Sequence, residues 1–490
     1  MSRRRKDELM IYQKRCDTEN TVDVSEDFVL PDYCPEVRRV LGVTARASVG
    51  GKYLSGEELE ADGDVTYTVV YMGGEGEICQ SSRTSAYTGH IPLKTEEGDR
   101  FTPGDIVLSC AAEGINCRVT SPRRITLSSR VKLRALSCRG DEFDLKSTAR
   151  QKKKAVKTAR VCEIRHEGDV SGEIREREGS TPVTALGEIC VSDARISSGA
   201  VKVKGEAYLT VLMRGEDGVY FTSRSRAPID DEVRLPDSFA DKKDGERMTC
   251  AVFASVTMTE VKAGEGETAW SMEYTIDADV MRESESEITD DAYLPEMTAE
   301  EKKTCDIGAV CAVGAASGRL TFGGKIKTDE GARHVMSWGS GEVTRVTSKD
   351  GKLGAEGEVK LCAIVEKDGE YSLCEGTFPL KYECDGGMAD GSGADMKRCA
   401  VRVCDVTARE EGDGLNLTAE LSVSVFALSE LHETAVTEVT PAGEKTAQDG
   451  SMIRVYVPDS DETDWDVEKK FRLGYAPKAE TISGREMYII

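Results

Sequence analysis

Phosphate binding is the first chemistry that the sequence suggests, through Gly323-Gly324-Lys325. A P-loop needs a glycine, four residues, and then Gly-Lys followed by Ser or Thr, because the loop amides and the lysine hold the phosphates and the hydroxyl binds magnesium. Here Arg319 stands at the first glycine position and Ile326 at the hydroxyl position. The motif fails twice, and a P-loop nucleotide site is excluded.

The pair His432-Glu433 gives an equally weak signal, for metal-assisted hydrolysis. A zincin helix needs a second histidine ligand four residues after the first, and Val436 stands there instead. The other histidines, His90, His166 and His334, stand alone in strand or loop patterns, where we interpret them as structural. Since no Cys or His group has the spacing of a zinc site, we predict no metal and no cofactor.

Acidic pairs and cysteines add no stronger signal. Asp230-Asp231 and Glu410-Glu411 lie in polar, turn-like stretches, which favours solvated surface over a catalytic carboxylate. The 16 cysteines are irregularly spaced without a Cys-x-x-Cys pair, so we expect free thiols in a reducing cytoplasm. The sequence also lacks a Gly-x-Ser-x-Gly elbow. We therefore predict a protein that is not an enzyme.

Composition narrows the class further. The chain has 490 residues and a formal net charge of −24, so a general nucleic-acid or anionic-membrane binder would be repelled by its ligand. No apolar run approaches the roughly 18 residues of a membrane span. The opening MSRRRKDELM lacks the apolar core of a secretory signal. These features predict a multidomain cytoplasmic protein.

The strongest internal signal is a repeated strand that begins at Gly63, Gly205 and Gly357, so that the copies start 142 and then 152 residues apart. Each glycine is followed by an acidic residue and then by side chains that alternate in polarity. Such alternation is typical of a half-buried β-strand. The Gly-acid pair predicts a turn into that strand.

A proline follows each repeated strand, at Pro92, Pro228 and Pro379. Because proline cannot donate to a sheet, each site predicts a strand end or an edge strand. We predict a mainly β protein with three repeated antiparallel β-sandwich or barrel-like units and a small terminal module. The predicted divisions are an N-terminal segment 1–20, repeats 21–150, 155–300 and 303–447, and a module 450–490. The run Lys152-Lys153-Lys154 predicts a linker between the first two repeats.

The terminal module has its own pattern. A strand over Ile453 to Val457 leads to a polar turn, after which Thr463 and Asp466 form a weak capping box for a short helix. A second short helix is predicted near residues 476–482, and Met487 to Ile490 close the module as a strand. The predicted order is β-α-α-β.

Two groups remain open between a structural and a binding role. Four basic residues fall on one face of a late strand of the first repeat, where they form either a solvent face or a docking patch for an acidic partner: Arg124, Arg130, Lys132 and Arg134. Trp465, one of three tryptophans, is either the core of the module or a direct binding residue.

Several segments resemble the SPOCS-domain family. Val29-Leu30-Pro31-Asp32-Tyr33-Cys34-Pro35-Glu36-Val37 and Val40-Leu41-Gly42-Val43 resemble the opening of that domain, and Ser121-Pro122-Arg123-Arg124-Ile125 continues the likeness. Asp291-Ala292-Tyr293-Leu294-Pro295 resembles the Asp-Ala-Tyr-Ser motif that follows such a domain, with Leu294 in place of serine. The similarity covers nearly the whole chain in order.

The tail resembles a LysM module, as in SipL-type spore coat and envelope assembly proteins. Asp461 to Phe471 is similar to the LysM core Gly-Asp-Thr-Leu-Trp-Asp-Ile-Ala-Lys-Lys-Tyr, with departures at Asp461, Glu462, Asp464 and Glu468. The resemblance implies a scaffold at the forespore surface in the mother cell, whose tail recruits a coat morphogenetic ATPase. The alternative is binding of peptidoglycan or cortex glycan. The expected partner-binding residues are Thr463, Asp464, Trp465, Asp466 and Phe471.

Overall fold

The structure is a computed structural model that describes residues 10–93, 106–145, 147–175, 179–240, 246–264, 267–388, 394–445, 454–482 and 485–490. Most of these residues lie in long strands whose side chains alternate between buried and exposed positions. In the strand Arg124–Glu142, for example, Ile125, Leu127 and Val131 are fully buried while the residues between them are more exposed. One strand face therefore packs on a core. The prediction of a mainly β, antiparallel protein is confirmed.

The first six strands form two antiparallel sheets that pack face to face, here called unit 1. The strands are β1 (Met10–Val29), β2 (Arg39–Ser55), β3 (Glu58–Met72), β4 (Ile78–Pro92), β5 (Ile106–Ser121) and β6 (Arg124–Glu142). Three strands pair in the order β1-β6-β5, which the residue pair Gln13 and Ala309 joins to a larger sheet, and the other sheet has the order β2-β3-β4. Apolar side chains from both sheets form one core between them.

The same pairing recurs twice. Unit 2 contains β7 (Arg150–Arg175), β8 (Thr181–Ser197), β9 (Ala200–Arg214), β10 (Tyr220–Arg234), a short helix α1 (Asp237–Ala240), β11 (Arg247–Ala263) and β12 (Glu267–Tyr293). Unit 3 contains β13 (Glu300–Lys327), β14 (Arg333–Lys349), β15 (Lys352–Lys367), β16 (Glu370–Asp385), β17 (Met396–Glu411) and β18 (Gly414–Pro441). In each unit the first, sixth and fifth strands pair in that order, and so do the second, third and fourth. Each unit has its own core.

The three repeated glycines lie inside β3, β9 and β15 rather than in a turn before them, so the predicted turn is wrong. Gly63, Gly205 and Gly357 each face a residue that borders a β-bulge in the preceding strand. A Cβ atom at these positions would lie 2.0, 2.3 and 1.9 Å from a backbone carbonyl oxygen of that strand. Only glycine allows the backbones to approach this closely.

The repeated prolines lie on strands that form the outer edge of their sheet. Pro92 ends β4, while Pro228 and Pro379 lie within β10 and β16; among the described residues, each of these strands pairs with one neighbour. Proline is tolerated on such edge strands because an N–H on the outer side has no partner strand.

Apolar contacts join the units at equivalent places. The hairpins between the third and fourth strands contribute Ile78, Tyr220 and Tyr371 to one shared cluster. The N–H of Ile78 donates to the Tyr220 hydroxyl at 2.8 Å, and the rings of Tyr220 and Tyr371 meet edge to face with centroids 5.6 Å apart. The three units thus share a core in addition to their own.

A buried ionic cluster also connects the units. The Arg398 guanidinium on β17 contacts Glu163 on β7 at 2.9 Å and Asp277 and Asp279 on β12 at 3.0 Å each. Lys52 of unit 1 approaches Glu163 at 3.5 Å. All three units therefore contribute to one charge network.

Two predicted divisions need correction. The strand β1 begins at Met10, so residues 10–20 belong to unit 1 rather than to a separate segment, because they pair with β6 from Glu142 inwards. Residues 1–9 of that predicted segment lie outside the described residues. The lysines 152–154 lie in β7 rather than in a linker, where they pair with β12 and face acids such as Glu287 and Glu433.

The C-terminal module, residues 454–490, contains β19 (Val455–Tyr456), α2 (Asp464–Lys470), β20 (Ala479–Ile482) and β21 (Arg485–Ile489). Its sheet has the order β19-β21-β20. The predicted second helix at 476–482 is wrong, because Ala479–Ile482 pairs with β21, and β-branched Thr481 suits a strand. Residues 450–453, including Ile453 of the predicted first strand, lie outside the described residues.

Candidate functional site

Three of the five predicted partner-binding residues stabilise the helix α2 itself. The Thr463 hydroxyl accepts from the backbone N–H of Asp466, and the Asp466 carboxylate accepts from the backbone N–H of Thr463 at 2.9 Å. This capping box satisfies N–H groups that would have no partner within the helix. Asp464 accepts a hydrogen bond from the Tyr488 hydroxyl on β21. The predicted capping box is present.

Phe471 belongs to the internal packing of the C-terminal module. Its ring meets Tyr456 of β19 edge to face, with centroids 5.0 Å apart. Beside it the Lys470 ammonium contacts Glu462 at 2.8 Å and lies over the Tyr456 ring. These contacts hold the helix against the small sheet.

Trp465 contacts the end of unit 2. Its indole N–H donates to the Asp291 carboxylate at 3.0 Å. Its ring meets the fully buried Tyr293 with centroids 5.4 Å apart at an interplanar angle of 61°. Trp465 therefore connects the module to the Asp291-Ala292-Tyr293 segment at the end of β12.

Two further residues of α2 contact the same region, and the sequence reasoning missed both. Glu468, with a side chain 5% exposed, accepts from Arg150 of β7 at 2.6 Å and from the Tyr293 hydroxyl at 3.0 Å. Lys469 contacts Asp291 at 2.7 Å. Both residues lie on the helix face of Trp465.

Arg472, just beyond α2, completes this face. It forms an ion pair with Glu300 at the start of β13 and donates to the Thr298 carbonyl at 3.1 Å. Positions 465, 468 and 469 have the spacing i, i+3 and i+4 of one helix face, whereas Arg472 follows the helix with a φ of 51°. That spacing is the signal that could have identified the helical part of the docked face.

We call the receiving surface the junction; it consists of Arg150, Asp291, Tyr293, Thr298 and Glu300. It lies where the first strand of unit 2 begins, the sixth strand of unit 2 ends and the first strand of unit 3 begins. Within the described residues, the strands of the module pair only with one another. The contacts between the module and the junction are therefore made by side chains, with backbone carbonyls as acceptors at Thr298 and Leu473.

Hydrogen bonds and burial set the charge states at the junction. Although burial alone would raise the pKa of Asp291, hydrogen bonds from Lys302, Lys469 and Trp465 hold that pKa well below its usual range. Burial raises the pKa of Tyr293, and its hydrogen bond to Glu468 adds to the effect. At neutral pH the junction presents an ionised carboxylate beside a protonated phenol.

Two residues of the predicted basic docking patch are paired with acids of the neighbouring strand. Arg134 contacts Asp17 on β1 at 2.7 Å and donates to the carbonyl of Lys397 in unit 3 at 3.0 Å. Lys132 contacts Glu19 at 3.0 Å. The remaining two residues of the set, Arg124 and Arg130, are exposed on the same face of β6. Since two of the four cations have acidic partners, this face is not a uniformly basic surface.

The residues considered for catalysis are not brought together. Gly323, Gly324 and Lys325 lie within β13, and His432 lies within β18 facing Gly308, so neither motif has the loop or helix that its chemistry requires. His334 contacts the Ser337 hydroxyl at 2.7 Å, but that serine is buried. Over the described residues, no group of three or more His, Cys, Asp or Glu side chains is arranged to hold a metal.

Comparison with known proteins finds no matching family model, no matching curated protein and no matching solved structure. Among the described residues, no helix has the length and apolar character needed to cross a membrane.

Proposed function

We propose that this protein is a non-enzymatic scaffold in assembly of the spore coat or envelope at the forespore surface. The three units would be SPOCS-like repeats, and the C-terminal module a LysM-like module that recruits a coat morphogenetic ATPase in the mother-cell cytoplasm. Support comes from the sequence resemblance over nearly the whole chain, and from three six-stranded units that share one pairing order.

The observation that carries the proposal is the contrast between the units and the module. The units share buried apolar and ionic contacts, which suit a rigid frame. The module has a separate sheet and touches the junction through side chains. A rigid frame with a small, separately folded module is well suited to display a binding element.

A localisation experiment tests this proposal. A fluorescent fusion of the full chain should form a ring around the forespore during sporulation, and a diffuse signal at all stages would argue against it. The full chain should also retain the coat ATPase in a pull-down, whereas a chain truncated after residue 449 should not. Unchanged retention by the truncated chain would refute recruitment through the module.

Glycan binding is the alternative, and the same protein can test it. Two of the acids that depart from the LysM pattern, Glu462 and Asp464, are engaged within the module by Lys470 and Tyr488. Calorimetric titration of the full chain with peptidoglycan fragments should therefore give no heat. Heat with glycan and none with the coat ATPase would favour glycan binding over recruitment of the ATPase.

A further inference from the structure

The helix face that docks on the junction has a composition suited to binding another protein. It combines one aromatic residue, Trp465, with Glu468 and Lys469, and Arg472 lies beside it just after the helix. Tryptophan and arginine are enriched among residues that dominate protein–protein binding energy. On the opposite side of the helix, Phe471 is already used inside the module.

We propose that this helix face is the partner-binding surface, and that the junction competes with the partner for it. The inference rests on the proposed function and names how its binding site is regulated. In the docked state Trp465 and Glu468 are engaged by Asp291, Tyr293 and Arg150. A partner that needs the same face binds only after the module has left the junction.

The junction also indicates the chemistry of the partner. It offers carboxylates to Trp465, Lys469 and Arg472, and an aromatic ring against which the indole packs. A competing surface must replace these contacts. The partner site should therefore contain an acidic side chain beside an aromatic or apolar surface, with a cation or hydroxyl group for Glu468.

The form of the contact allows release. The ion pairs are partly exposed, with Arg150 and Lys469 side chains each 36% exposed. Exchange between docked and released states lowers the apparent affinity of a partner by the fraction of released protein. A tenfold preference for docking thus weakens the apparent affinity about tenfold.

Substitutions in the junction test the competition without altering the module. The double variant Arg150→Ala, Tyr293→Phe removes both partners of Glu468 and keeps the buried ring. In the full chain it should bind the coat ATPase at least about fivefold more tightly, because the released fraction increases. Trp465→Ala should bind more weakly than the native chain. The matched control is Lys154→Ala, also on β7, whose partner is Glu433 in unit 3; its affinity should not change.

Hydrogen exchange of the α2 amides gives a readout that needs no partner. The junction variant should exchange faster there than the native chain, while the strands of unit 2 keep their protection. Faster exchange together with unchanged ATPase affinity would overturn the competition, since the partner would then use another face of the module. Unchanged exchange would overturn docking. If no variant binds the ATPase, the proposed function fails together with the competition, while the exchange data still report docking.

Discussion

Replacing Arg398 with methionine tests whether buried charges hold the units together. The guanidinium contacts Glu163 at 2.9 Å and Asp277 and Asp279 at 3.0 Å, with only 15% of the side chain exposed. It also lies over the Phe253 ring, 4.2 Å from its centroid. Methionine has a similar unbranched stem, so the change removes the charge and retains much of the packing.

The expected loss of stability depends on which cation each acid still contacts after the substitution. Asp277 still has Arg165 at 2.8 Å, and Glu163 still has Lys52 at 3.5 Å. Asp279, which is fully buried, loses the guanidinium to which both of its carboxylate oxygens bond. Removing one partner of a buried ion pair costs about 3–5 kcal/mol. Because two of the three acids keep a cation, we expect a loss of about 3 kcal/mol at pH 8.

The loss should depend on pH with a definite sign. Burial raises the pKa of Asp279 in the folded protein, against the opposing effect of Arg398. A carboxyl whose pKa is higher folded than unfolded reduces stability when it ionises, so its contribution improves as the pH falls through the folded pKa. Without Arg398 that pKa rises further. The Arg398→Met variant should therefore be more destabilised at pH 8 than at pH 6.

Urea unfolding at both pH values, followed by tryptophan fluorescence, measures these differences. Adding Asp279→Asn to Arg398→Met should recover at least about half of the loss and remove most of its pH dependence. Arg345→Met is the control, since Arg345 is 72% exposed and 3.9 Å from Glu356; its cost should stay within about 0.5 kcal/mol. A loss below about 1 kcal/mol for Arg398→Met at pH 8 would refute the reasoning.

Three further predictions concern substitutions at single positions. Burial, and then Arg224, lowers the pKa of His334 to about 4. The contribution of this histidine to stability is therefore full above about pH 6.5 and is lost as the pH falls towards 4. In urea unfolding, His334→Gln should remove about 2 kcal/mol of that loss between pH 6.5 and 5. Gly357→Ala should lower the free energy of unfolding by at least about 2 kcal/mol, because its Cβ would clash with a backbone carbonyl of the neighbouring strand. Gly323→Ala is the control, since its Cβ would lie 3.9 Å from the nearest atom, and in thermal unfolding it should cost less than half as much. Thr463→Ala should speed hydrogen exchange in α2 by removing a cap worth about 1 kcal/mol, and Thr463→Ser should not.

The strands were predictable because apolar and polar residues alternate in the sequence with the two-residue period of a β-strand. In β18, Leu415, Leu417, Ala419 and Leu421 alternate with polar residues, and all four are buried. The repeated glycines were also visible in the sequence. Their role was not, because a glycine before a strand pattern signals a turn, whereas a glycine opposite a bulge is recognisable only when the register of two strands is known.

Strand ends were less predictable than strand centres. The run at Lys152 suggested a linker since three adjacent cations are usually solvated, but facing acids on β12 and β18 allow it to lie within a sheet. The helix predicted near Ala476 failed for a related reason. The pairing of Ala479–Ile482 with β21 depends on a contact between segments, which local propensity does not contain.

The departures from the LysM pattern acquire a physical meaning from the docked module. Glu468 stands where that pattern has a small residue, yet its carboxylate is the acceptor for Arg150 and the Tyr293 hydroxyl. A small residue there would remove this acceptor from Arg150 and leave the Tyr293 hydroxyl to the Leu473 carbonyl, so the helix would lose two contacts with the junction. Leu294, which stands where the resembled motif has a serine, packs against the apolar cluster beside the junction. The acidic residue at position 468 is therefore explained by the docking of the helix on the junction.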